Sequence, residues 1–390
     1  MNTEQIKHNL DQMKTPCYFY DMELLENTLE KVRKIKDRHG YQVHYALKAN
    51  SNTRILRKIR EYGFGADCVS GNEILRALQT GYSPENIAFA GVGKADWEID
   101  LGLEHGIGFF NCESIPEIEV INEHAALKNT TANIALRINP EIDAKTHHYI
   151  TTGIEENKFG INREDLPRVI ELFGKLDNIK LKGIHVHIGS QITDLDVFKS
   201  LCLRMNEIQD FFRKEHIELT DINVGGGLGL NYENPEAEAT PDFDSYFRIF
   251  QEFLNLQSHQ QLHFELGRSL VGQCGALVTT VLFIKEGINT NFAVVDAGMT
   301  ELIRPALYQA YHKITALTSN KPPKKYDVVG PICESSDYFG KAVQLPELKR
   351  GDVLVIHTAG AYGEVMRSGY NLRDHLEFYY SADFVNAKKI

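Results

Sequence analysis

The sequence predicts an α/β protein, a (β/α)8 TIM-like barrel joined to a second, mostly β domain of sandwich or barrel type. Three observations predict it. Short β-prone runs alternate with longer amphipathic ones through most of the first 272 residues. Eight such strands, each following a helix, occupy about 250 residues, the usual size of this barrel. After residue 272 the alternation gives way to strands joined by short turns. A doubly wound open sheet also alternates strand and helix, so the count of strands leaves that architecture open.

Residues 22–39 have Leu25, Leu29, Val32 and Ile35 at helical spacing, and the next run, YQVHYALK, is a strand ending near Lys48. Further strands are expected near 64–69, 87–90, 107–111, 133–138, 182–188, 220–224 and 261–265. The clearest helix between them is 194–216, where Phe198, Leu201, Met205, Ile208 and Phe212 trace one face. Segment 139–162 breaks the rhythm and is expected to be a functional loop over the barrel mouth, because loops of that length are otherwise uncommon. The barrel domain is thus placed at 22–272. Beyond it, ALVTTVLFIKEG, NFAVVDAG, DVLVIHTAG and LEFYY read as strands of a domain over 273–390.

Hydrophobic residues make up 43% and charged residues 24% of the chain, a globular composition. A formal charge of -11 excludes a basic nucleic-acid surface as the main partner. No apolar run reaches bilayer-spanning length, and the start, MNTEQIKHNL, carries no export signal, so a cytoplasmic protein is expected. Cys17, Cys68, Cys112, Cys202, Cys274 and Cys333 are scattered without a CxxC pair or zinc-like spacing, so no metal site is expected.

Four unusual features fall at the ends of predicted barrel strands: Lys48, HVHIGSQ (185–191), GGGLG (225–229) and ELGRS (265–269). In a barrel these ends share the rim where such enzymes keep their chemistry. Each has an ordinary explanation when taken alone. Lys48 fits a snorkelling surface lysine, the glycines a tight turn, and His187 a satisfied core histidine. Glu265 ends an apolar strand, where a carboxylate without a partner is costly. Together they supply an amine able to form a Schiff base, bare backbone amides for a phosphate, a group to stack on a ring and a carboxylate for a pyridinium, which are the parts pyridoxal 5'-phosphate needs.

With those residues in view, the chain resembles the fold-type III pyridoxal-phosphate decarboxylases, among them diaminopimelate, ornithine and arginine decarboxylases. YALKAN is similar to the family's lysine motif and INVGGGLG to its glycine signature. HVHIGSQ, RPALY (304–308), CESSDYFG (333–340) and GAYG (360–363) most resemble the diaminopimelate branch, and matches run from about residue 15 to 373. The resemblance implies a β domain that also includes residues 1–21, and a homodimer with active sites at its interface. It implies that Lys48 bonds the cofactor, that His187 stacks on its ring and that Glu265 pairs with its nitrogen. Ser190, Gly226, Gly227, the Gly267–Arg268 backbone and Tyr362 would hold the phosphate. Arg268, Arg304 and Tyr308, with Tyr362, would bind substrate. Cys333, as proton donor, and Glu334, toward a distal ammonium, would come from the second subunit.

The implied reaction is decarboxylation of meso-2,6-diaminopimelate to L-lysine. Two arginines and a glutamate suit a substrate with an amino-acid group at each end. Related decarboxylases of carboxynorspermidine, ornithine or arginine, a pyridoxal-phosphate racemase, and a non-catalytic relative are the alternatives. The wording departs from the family at Leu266, where many relatives have proline, after GAYG in EVMRSGYNLR, and in the tail DHLEFYYSADFVNAKKI.

Overall fold

The computed structural model describes residues 1–142 and 158–384. Most of the expected loop 139–162 falls on residues 143–157 and lies outside the described residues, as do the last six residues of the tail. The chain divides into two compact units, one made of Leu29–Gly229 and Asp242–Gly267, the other of Met1–Thr28, Leu230–Pro241 and Arg268–Ile390.

Strand β1 (Cys17–Tyr20) belongs to the sheet of the second of these units. The next eight strands are β2 (Gln42–Ala46), β3 (Gly65–Cys68), β4 (Ile87–Phe89), β5 (Phe109–Cys112), β6 (Ala132–Arg137), β7 (Ile179–His185), β8 (Asp221–Asn223) and β9 (Gln261–Leu266). They pair in chain order, all parallel, and β2 also pairs with β9, so the barrel closes as expected. Strands β3, β4 and β5 are buried on both faces, as strands become when helices cover the outside of a parallel barrel.

The helical periods correspond to real helices. Met22–His39 buries Leu25, Leu29, Val32 and Ile35, and Asp196–Lys214 buries Phe198, Leu201, Met205, Ile208 and Phe212. Phe198 meets the ring of Tyr246 edge-on at 4.9 Å, and Phe247 and Phe250 meet Phe264 of β9 at 4.8 and 5.0 Å. This aromatic layer fixes β9, the strand that carries Glu265. The barrel interior also holds polar contacts, with His44 Nε2 3.0 Å from His263 Nδ1, and His263 Nε2 2.9 Å from Asp221.

Lys48 differs from expectation in its local setting. β2 stops at Ala46, and Lys48 sits in the single 3-10 turn Leu47–Ala49. The Tyr45 hydroxyl donates to the Asn50 carbonyl at 2.9 Å, which bends the chain at the strand end.

In the other unit, β10 (Gly275–Glu286), β11 (Asn291–Val295), β12 (Ile314–Ala316), β13 (Pro323–Val329), β14 (Tyr338–Pro346) and β15 (Val353–Ile356) form the order β12-β15-β10-β11-β13-β14. β1 lies antiparallel to β10 and parallel to β16 (Glu377–Tyr380), which explains why all four of its residues are buried. Strands β12 to β14 were not foreseen. β13 begins PKK and buries only Tyr326 and Val328, so it lacks the apolar run that exposes β10 and β15 in the sequence.

Candidate active site

Within the barrel unit, the predicted residues on β9 and on the loops after β2, β7 and β8 sit with polar residues that sequence reasoning missed. Glu265 is buried inside the barrel. Its Oε1 accepts from Asn223 at 2.7 Å and from Asn111 at 3.1 Å, and its Oε2 lies 3.0 Å from His185 Nε2. Burial works to raise its pKa, but the charge and hydrogen bond of His185, with Lys48 beyond, hold it well below the usual carboxylate range. Glu265 is therefore an ionised carboxylate in a low-dielectric interior.

Lys48 Nζ lies 3.4 Å from Asp67 Oδ2. Burial and the neighbouring charge of Glu265 raise the Asp67 carboxyl to about 6, against the lowering effect of Lys48. His187 is half-buried, and the Gly226 amide donates to its Nδ1 at 3.4 Å, which makes that nitrogen the acceptor. Burial, then the charges of Lys48 and Arg137, hold the ring well below its usual pKa, so it is neutral near pH 7.

The glycine run is imposed by close packing. A Cβ at Gly226 would collide with the Glu265 carbonyl oxygen, and Gly225, at φ +65°, would strike the Val186 carbonyl. Only glycine lets this backbone lie against the ends of β7 and β9 with its amides bare. Gly267 is also tight, its missing Cβ position 3.1 Å from Ala49 and 3.2 Å from Ala46. Ser190 is half-buried in the loop after β7.

This barrel set fits the expected cofactor. It offers an amine, a glycine cradle and an anion able to hold a ring nitrogen protonated. Asp67 Oδ1, Asn111 Oδ1 and His185 Nδ1 are also buried without a hydrogen-bond partner among the described residues, polar capacity that a polar ligand can use.

The other unit gathers a second set. Arg268 and Arg304 are both buried, and both donate to the hydroxyl of Tyr232, at 2.7 and 3.0 Å. Arg268 lies over the Tyr362 ring at 4.7 Å, and Arg304 over the Tyr232 ring at 4.9 Å. Arg304 also donates to His312 Nε2 at 2.9 Å and has no carboxylate partner among the described residues. The buried Arg304 guanidinium calls for an anion. Tyr362 holds a left-handed φ of +56°, and Tyr308 ends the short helix Arg304–Tyr308, half-buried.

Cys333 and Glu334 are exposed on a separate loop. There the Cys333 amide donates to Asn371 at 3.1 Å, and the Tyr370 hydroxyl donates to Glu334 at 2.8 Å. Neither touches the arginine set through a described hydrogen bond. Tyr232 and His312 went unnoticed in the sequence because a single tyrosine or histidine in a loop has no pattern. His185, by contrast, stands two residues before His187 and shares its face of the extended chain, a signal that was available.

The family described as pyridoxal-dependent decarboxylase, pyridoxal binding domain, matches residues 25–272. The chain belongs to the pyridoxal-dependent decarboxylases. Among relatives of this family, a diaminopimelate decarboxylase of Bacteroides thetaiotaomicron is 54% identical over 96% of this chain and 97% of its own. One of Neisseria meningitidis serogroup A is 42% identical over 92% of this chain and 88% of its own. A crystal structure of a point variant of the Helicobacter pylori diaminopimelate decarboxylase, complexed with L-lysine, matches with a TM-score of 0.90 at 39% identity, covering 97% of this chain and 94% of that one. The matched residues include all eight barrel strands. No helix among the described residues is long and apolar enough to cross a membrane.

Proposed function

We propose that this chain decarboxylates meso-2,6-diaminopimelate to L-lysine and CO2 with pyridoxal 5'-phosphate as cofactor. The observation that carries the chemistry is Glu265, buried in the barrel and held ionised by His185, Asn111 and Asn223. When bound, the cofactor supplies an electron sink for the carbanion left as CO2 departs.

The protein's part is positional and electrostatic. Glu265 keeps a proton on the pyridine nitrogen, which a neutral residue could not do. Lys48, whose Nζ lies 3.4 Å from Asp67 Oδ2, would hold the cofactor through its side-chain amine. Neutral His187 would stack against the cofactor ring. Gly226, Gly227, Ser190, the Gly267–Arg268 backbone and the Tyr362 hydroxyl hold phosphate. Arg304 and Arg268, with Tyr308, take the substrate's distal carboxylate, which matches the need of Arg304 for an anion.

In this reading the enzyme is a homodimer. The partner subunit's Cys333 donates a proton to Cα, and the partner subunit's Glu334 receives the distal ammonium. The exposure of this loop on the single chain supports that assignment. Six unpaired cysteines suit a cytoplasmic enzyme. The barrel domain is assigned to 22–272, with 1–21 and 273–390 as the β domain.

The test is CO2 release from purified protein with pyridoxal phosphate, offering meso-diaminopimelate beside ornithine, arginine and carboxynorspermidine. The expected result is release from diaminopimelate alone, with L-lysine in equal amount. Release from another substrate keeps the chemistry and retires the reading of Arg304 and Glu334.

A further inference from the structure

We infer that Tyr232 is a positioning residue for a carboxylate receptor: its oxygen accepts from Arg268 and Arg304 at once and sets both guanidinium groups to read a substrate carboxylate, with His312 as a second brace on Arg304. The inference rests on the reading of these arginines as the carboxylate grip, and adds the residues that shape it.

The hydrogen bonds define the brace. Among the described residues, both hydrogen bonds of Arg304 leave from Nη1, one to Tyr232 at 3.0 Å and one to His312 Nε2 at 2.9 Å. Both hydrogens of that nitrogen are then used. Nε and Nη2 remain, the edge of a guanidinium that meets a carboxylate with two parallel bonds.

His312 can accept because its other nitrogen, Nδ1, donates to the His357 carbonyl at 2.8 Å, which fixes the tautomer. Burial, then the charge of Arg304, lowers this ring to about 3, so it does not become a competing cation near neutral pH. Its ring also stands edge-on to Tyr232 at 5.1 Å.

Tyr232 meets a second requirement. Two buried guanidinium groups repel, and a shared oxygen at 2.7 and 3.0 Å offsets that repulsion while fixing their separation. Burial works to raise the phenol's pKa, but the charges of Arg268 and Arg304 outweigh it and lower the net value. A phenylalanine would keep the ring under Arg304 and lose this shared acceptor.

The experiment compares two ligands on the holoenzyme by isothermal calorimetry, L-lysine and 1,5-diaminopentane, which is the same carbon chain without the carboxylate. Wild type is expected to prefer L-lysine. Tyr232→Phe is expected to weaken L-lysine about ten-fold or more and leave diaminopentane unchanged. The same variant raises KM for diaminopimelate by a similar factor with a smaller change in kcat, and leaves the cofactor's visible absorbance as in wild type.

His312→Ala is expected to reduce the preference for L-lysine, and His312→Gln, which keeps an acceptor, to restore most of it. That pair carries the test if Tyr232→Phe does not fold. Unchanged L-lysine binding in Tyr232→Phe, equal loss for both ligands, or no preference in wild type overturns the inference. CO2 release by wild type decides the reaction separately. An enzyme silent on diaminopimelate that still loses its L-lysine preference in Tyr232→Phe retires the substrate and keeps the clamp.

Discussion

Glu265 and Asp67 are carboxylates in one barrel interior whose surroundings push them in opposite directions. Glu265 is held ionised by His185 and two amides, whereas Asp67 is raised to about 6 by burial and by Glu265 itself. Glu265→Gln keeps the shape and removes the charge, so cofactor binds while kcat falls about a hundred-fold, read in steady-state assays. Near-wild-type kcat in that variant would show that the ring nitrogen needs no anion. For Asp67 the sign follows from linkage. A carboxyl raised in the folded state keeps its proton while the unfolded chain releases it between about pH 4 and 6. Stability from this group is therefore lost as pH rises through that window, by at most about 1.4 kcal/mol per unit. Asp67→Asn lacks this loss, and denaturant melts of apoprotein at pH 4, 5 and 6 should show its stability gaining on wild type with rising pH.

At the scale of elements, the glycine turn after β8 and the aromatic layer under β9 hold the site in place. Gly226→Ala drives a methyl into the Glu265 carbonyl, so the turn must shift and pyridoxal phosphate should bind at least about ten-fold more weakly, measured by absorbance titration. Phe198→Ala empties a fully buried position and is expected to cost about 3–5 kcal/mol in urea denaturation while leaving the cofactor spectrum intact. Much of this architecture was legible because apolar runs and helical periods mark elements directly, as in 22–39 and in the strands of the barrel. Lys48, the glycines and Glu265 were legible because each is out of place in its local sequence. Asn111 was not, because it is an ordinary polar residue whose partner Glu265 lies 154 positions away. Tyr232 is similarly mute, 36 positions from Arg268 and 72 from Arg304. Strands β13 and β14 escaped notice because polar and charged residues interrupt them, Lys324, Lys325 and Asp327 in β13 and Lys341 and Gln344 in β14, and dilute the apolar signal.

For the whole molecule, the proposal requires that one active site draw Lys48 from one subunit and Cys333 from the other. Cys333 is exposed on the single chain, whereas Cys17, Cys68, Cys112, Cys202 and Cys274 are buried, so it alone of the six can act outside its own core. Lys48→Ala should abolish the cofactor's visible absorbance. Cys333→Ala should keep that absorbance and slow turnover severely. If each site is shared across a two-fold interface, mixing the two variants and allowing subunits to exchange creates hybrids with one site intact and one carrying both lesions. An equal mixture that re-pairs at random contains half hybrids, each with half its sites whole, so about a quarter of wild-type activity should return. A site built within one subunit gives no such recovery, because every hybrid site would carry one lesion. Activity that stays at the mean of the two parents after exchange, with exchange itself verified by mass, would therefore place Cys333 beside its own subunit's Lys48 and overturn the shared site.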